Sequence, residues 1–81
     1  MKRQIGSVVK AEAGRDSGGF FAVTGFDKDH CFIADGKSRK LSSPKRKNIK
    51  HLRFTNSVIE LNEITDKKLR AALKEFGGRD E

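Results

Sequence analysis

The cations of this chain are crowded into one stretch. Lys37–Arg53, reading KSRKLSSPKRKNIKHLR, carries Lys37, Arg39, Lys40, Lys45, Arg46, Lys47, Lys50 and Arg53, and no Asp or Glu follows until Glu60. The formal net charge of the chain is +7, so these eight exceed it and the remaining residues sum to −1. A local concentration of Lys and Arg is the electrostatic footprint of a polyanion binder. A run of one sign repels itself, which favours a bound anion over a merely solvated surface. The chemistry on offer is phosphate neutralisation, and the candidate contacts are Lys37, Arg39, Lys40, Lys45, Arg46, Lys47, Lys50 and His51. Asn48 joins them as a residue able to meet a base edge or a 2′-hydroxyl, although capping a turn is the commoner use of Asn.

A second candidate is the glycine-rich segment Ala13-Gly14-Arg15-Asp16-Ser17-Gly18. A dinucleotide or Walker loop requires a helix after the glycines, with its N-terminus aimed at phosphate. Here a strand-like run follows, so the segment reads as a hairpin-type loop. Gly14 is the best candidate for a positive φ. Arg15, at the tip, is placed to grip a backbone phosphate, while Asp16 suits bonding to loop amides. Gly14, Asp16 and Gly18 are therefore read as structural and Arg15 as a contact.

Nothing in the sequence spells an enzyme. The carboxylates form no pair suited to acid–base work. His30, Cys31 and His51 match no zinc spacing, and no cofactor motif is present. The single cysteine forbids an intrachain disulfide and fits a reducing compartment. The N-terminal MKRQIGSVVK lacks the apolar run of a signal peptide, and no segment suits a membrane span. The expectation is a cytoplasmic monomer without cofactor or metal.

The elements that must position these residues are short. Gln4–Ala11 reads as a strand through Ile5, Val8 and Val9, and Phe20–Phe26 as a second. In the second, Phe20, Ala22, Thr24 and Phe26 share one side and Phe21, Val23 and Gly25 the other. Alternation alone does not decide which is buried. Gly25 is a candidate bulge. His30–Ala34 is a third strand, with Cys31 as a small core hydrophobe. Asp35-Gly36 signals a tight turn, and Ser38–Ser42 is assigned as a fourth strand anchored by Leu41. Pro44 then opens a basic loop, PKRKN, before a fifth strand over Ile49–Phe54. Residues 56–64 connect to a helix over 65–76, with Thr65 as N-cap, an Ile64–Leu69 staple, and Leu69, Ala72, Leu73 and Phe76 as one apolar stripe. Residues 77–81 are expected to fray. So short a helix must dock or stay partly disordered. The six phenylalanines are assigned to core or docking duty rather than to base stacking.

Several of these residues, in this order and spacing, resemble the KOW family. Gly6-Ser7-Val8-Val9, Ala13-Gly14-Arg15-Asp16, Gly18 and the Phe20–Phe26 run resemble the KOW motif of ribosomal proteins and transcription-elongation factors. Phe32-Ile33-Ala34-Asp35-Gly36, then Lys45-Arg46-Lys47-Asn48-Ile49 and His51-Leu52, resemble large-subunit ribosomal protein fourteen of archaea and eukaryotes, and its small bacterial relatives. The resemblance covers residues 5 to 55 and fades beyond Thr55. It implies a mainly-β fold, an SH3-like barrel of about five strands over residues 1–55 with one short C-terminal helix. It also implies RNA binding, with ribosomal RNA of the large subunit as partner. The alternative is a protein-interaction module of the transcription or translation machinery that binds an acidic partner.

Overall fold

The computed structural model describes residues 3–14 and 17–77. Five strands and one helix follow one another: β1 Ser7–Ala11, β2 Phe20–Asp27, β3 His30–Ala34, β4 Lys45–Asn48, β5 Leu52–Val58 and α1 Asp66–Gly77. A three-residue 3-10 turn, Ile49–His51, separates β4 from β5. All neighbouring strands are antiparallel, in the order β4-β3-β2-β1-β5. The protein is thus mainly β, with a five-stranded sheet and one C-terminal helix.

The strands consecutive in sequence at the end of the sheet, β4 and β5, lie on opposite edges of it. A flat five-stranded sheet would hold its outer strands about 19 Å apart. Three residues bridge at most about 14 Å. The sheet therefore curls, helped by register shifts between Ser7 and Val9 in β1 and between Val23 and Gly25 in β2. The expected bulge at Gly25 falls on the second shift. Among the described residues β4 and β5 share no ladder, so hydrogen bonds do not close the sheet into a barrel.

Alternation along the strands supplies both faces of the sheet with apolar residues. Val9, Ala11, Phe21, Val23, Cys31, Ile33, Leu52 and Phe54 form one buried cluster, with Ile49 packed against it. Val8, Ala22 and Ala34 point the other way and meet Leu69 and Leu73 of α1, flanked by Phe20, Leu41, Ile59, Leu61, Ile64 and Phe76. Neither side of the first half of β2 is free: Phe21 and Val23 fill the first cluster, while Phe20 and Ala22 face the helix. Phe26, assigned to core or docking duty, is instead exposed. Phe20 and Phe76 rings lie 5.9 Å apart. The helix docks through its apolar stripe, as its spacing requires, and Thr65 caps it by accepting the Lys68 amide on Oγ1 at 3.2 Å.

Several assignments are corrected. β1 starts at Ser7 and not at Gln4. α1 runs to Gly77, one residue into the segment expected to fray, the rest of which lies outside the described residues. Ser38–Ser42 is not a strand. The Asp35 carboxylate accepts the backbone N–H groups of Lys37 at 2.9 Å and Arg39 at 2.8 Å, rolling the chain into a loop. The fourth strand is instead Lys45–Asn48, the segment expected to be a basic loop. The chain from Ile49 does not start a strand at once, because Asn48 Oδ1 accepts the Lys50 amide at 3.0 Å and nucleates the 3-10 turn. In addition, β5 continues to Val58, into the segment expected to be connector.

Candidate nucleic-acid interface

The acid-free stretch is spread over four pieces of structure: the loop after β3, strand β4, the 3-10 turn and the start of β5. Strand β4 is its centre. Among the described residues it pairs with β3 on one side only, through Ile33↔Lys45, Phe32↔Arg46, Cys31↔Lys47 and His30↔Asn48. Directly paired residues share a face, so Lys45 and Lys47 line up with the Ile33 and Cys31 side, and Arg46 with the Phe32 side. Lys45 and Arg46 are exposed, Lys47 and Asn48 half-buried. Charged side chains on an edge strand also discourage unwanted strand pairing, so the same residues keep the edge soluble.

The cations are not equally available. Lys47 Nζ donates to the Ala13 carbonyl at 2.9 Å. It thereby tethers the β1–β2 loop to β4 across the curled sheet. Gly14 in that loop has φ +81, the positive value expected of it. Arg15 and Asp16, the proposed contact and its neighbour, lie outside the described residues. Arg46 Nε lies 3.4 Å from Asp27 Oδ2, and Arg53 Nη1 3.7 Å from Glu12 Oε2. Both pairs are well exposed, so either side chain exchanges its partner for a phosphate at small cost. Arg39 is half-buried and its backbone closes the loop, its carbonyl accepting from Asp35 at 2.8 Å and Gly36 at 3.0 Å. Lys37, Lys40, Lys50 and His51 are exposed. Asn48 serves as the cap of the 3-10 turn, the commoner of the two uses weighed for it.

Two clefts are lined by cations, one at the end of β4 and one beside α1. One, of about 450 Å³, is lined by Arg3, Lys28, Asp29, Asn48, Ile49 and Lys50. The other, of about 510 Å³, is lined by Asp35, Lys37, Lys67, Arg70, Ala71 and Lys74. Sequence reasoning missed Arg3, Lys28 and the three helix cations. The helix signal was there to be found: positions 67, 70 and 74 are spaced by three and four, one face beside the apolar stripe.

The buried Cys31 thiol is pushed up to about 11 by desolvation, which makes it a poor nucleophile. Among the described residues no group of three or more His, Cys, Asp or Glu is placed to hold a metal ion. No helix of the described residues is long and apolar enough to cross a membrane. A comparison with protein-family models gives no match, and no curated protein is significantly similar to the chain.

Proposed function

We propose that this chain is an RNA-binding protein that takes ribosomal RNA and associates with the large ribosomal subunit in the cytoplasm. The observation that carries the reading is the exposed cationic edge of β4 with its 3-10 turn, inside a stretch free of carboxylates from Lys37 to Ile59. The resemblance of residues 5 to 55 to KOW proteins supports it. Lys and Arg neutralise phosphates and release counterions. The sheet fixes their spacing, so recognition follows the shape of the RNA more than its bases. The role is binding rather than catalysis.

The test is a salt titration of the full chain against purified large-subunit ribosomal RNA. Five phosphate contacts give a slope of log K on log salt of roughly −3 to −5. A flat response removes the electrostatic mechanism.

One observation favours a second reading: the outer edge of β4 is unpaired among the described residues and is open to a strand from an acidic protein. Nuclease treatment separates the two. An RNA complex falls apart under RNase, and a protein complex survives.

A further inference from the structure

The larger cleft lies where the β3–β4 loop meets the helix. Its walls carry four cations, Lys37, Lys67, Arg70 and Lys74, against one carboxylate, Asp35. That carboxylate is turned into its own loop, accepting from the Lys37 and Arg39 amides and from Ser38 Oγ at 3.4 Å. Among the described residues none of the four cations makes an ion pair. Arg70 and Lys74 are four apart on the helix, and Lys67 and Arg70 three apart. Like charges at those spacings destabilise a helix, and a bound anion would relieve them.

The cleft is also held rigid. Asp66 Oδ1 accepts the Leu41 amide at 2.8 Å, fastening the far end of the loop to the first turn of α1. Gly36 sits so close to the Asp66 carbonyl that no side chain fits between them. Arg70 Nη1 reaches the Gly36 carbonyl at 3.5 Å. The backbone walls are thereby fixed, while the exposed side chains of Lys37, Lys67 and Lys74 stay free to reach an anion.

Its position joins it to β4. Lys45 is paired with Ile33, and Asp35 lies two residues beyond Ile33, about 7 Å further along. The cleft therefore opens beyond the Lys45 end of the cationic edge, on the helix side of the sheet, which Arg46 shares with Phe32 and Ala34 while Lys45 faces the other side. We propose that it holds the phosphodiester backbone of a second segment of the RNA bound at β4, so that one polyanion crosses the strand and enters the cleft. This rests on the RNA-binding reading of β4. The occupant follows from charge complementarity and from the continuity of the two surfaces.

The test uses the full chain, large-subunit ribosomal RNA and three variants: Lys67→Gln/Lys74→Gln, the charge-preserving Lys67→Arg/Lys74→Arg, and Lys45→Ala/Arg46→Ala. Neither Lys67 nor Lys74 makes a side-chain hydrogen bond within the described residues, so the Gln variant, relieved of like-charge repulsion on the helix, is expected to melt at or slightly above the parent. Its salt slope should become shallower by about 1.5, for two lost phosphate contacts, and its affinity should drop roughly tenfold or more at low salt. The Arg variant should restore both. If the Gln variant keeps the parental slope and affinity while Lys45→Ala/Arg46→Ala weakens, the cleft proposal falls and the β4 reading stands. If the Gln variant melts early and the Arg variant fails to restore binding, the cations act on the fold and the proposal falls as well. If the parent shows no salt-dependent binding, both fall together.

Discussion

Replacing Gly36 with Ala should unseat the helix, and the size of the effect follows from two separate terms. Gly36 has φ +76. An Ala there must adopt the left-handed region, at about 1–2 kcal/mol. Its methyl group would also collide with the Asp66 carbonyl oxygen and press on the Arg70 amide nitrogen, 3.2 Å from an ideal Cβ. Relief requires the helix start to shift, which strains the Leu41–Asp66 hydrogen bond, worth about 1 kcal/mol. The sum is about 2–3 kcal/mol. For a domain of this size each kcal/mol lowers Tm by about 4–8 °C, so Gly36→Ala should melt roughly 10–20 °C early. Gly18→Ala is the control. Gly18 has φ +90 but nothing within 4 Å of an ideal Cβ, so only the backbone term applies and the shift should be about half as large. Thermal melts followed by circular dichroism measure both. If the two variants melt together, the close approach of the β3–β4 loop to the helix does not contribute, and the argument for a rigid cleft loses its main support.

Other outcomes can be checked alongside. Lys45→Ala/Arg46→Ala should leave Tm nearly unchanged, because both side chains are exposed, while weakening RNA binding roughly thirtyfold for two contacts of about 1 kcal/mol each, as read by filter binding. Lys47→Ala should lower Tm, since it removes the bond to the Ala13 carbonyl; an unchanged melt would mean that this tether is idle. Leu73→Ala truncates a side chain only 5% exposed and should cost about 2–5 kcal/mol in denaturant unfolding. The Cys31 thiol, raised by burial from 9.0 to about 11, favours the protonated folded state. Its contribution is fully present below pH 9 and is lost as pH rises towards 11, because the unfolded thiol ionises first. Denaturant midpoints measured from pH 8 to 11 should fall accordingly, and more steeply than those of Cys31→Ala.

Where apolar alternation is strong, the sequence was enough. The first three strands carry Val8, Val9, Phe21, Val23 and Ile33, and the helix carries Leu69 and Leu73 at helical spacing; all are buried. Strand β4 was missed because Lys45-Arg46-Lys47-Asn48 holds no apolar residue. It is an edge strand, fixed by backbone pairing with β3 and by the Lys47 tether, and neither leaves a mark on periodicity. The Leu41 region looked like a strand because one apolar anchor sat among polar neighbours, yet Leu41 packs towards the helix and Asp35 holds the loop. The basic surface was legible as charge. Its helix half was not, because Lys67, Arg70 and Lys74 lie some thirty positions from Lys37 and only the fold makes them neighbours.

The order of strands has a consequence for how the chain is made. β1 is the first strand in sequence yet sits between β2 and β5, and Ala11 pairs with Leu52 roughly forty residues later. During synthesis from the N-terminus, β1 to β4 emerge while the second edge of β1 has no partner. Val9 and Ala11 then lack the cover of Leu52 and Phe54. Unpaired β-branched edges of this kind invite association between chains. A nascent chain halted before Leu52 is therefore the vulnerable form of this protein, and release of the last strand from the exit tunnel is the moment at which its first strand becomes safe.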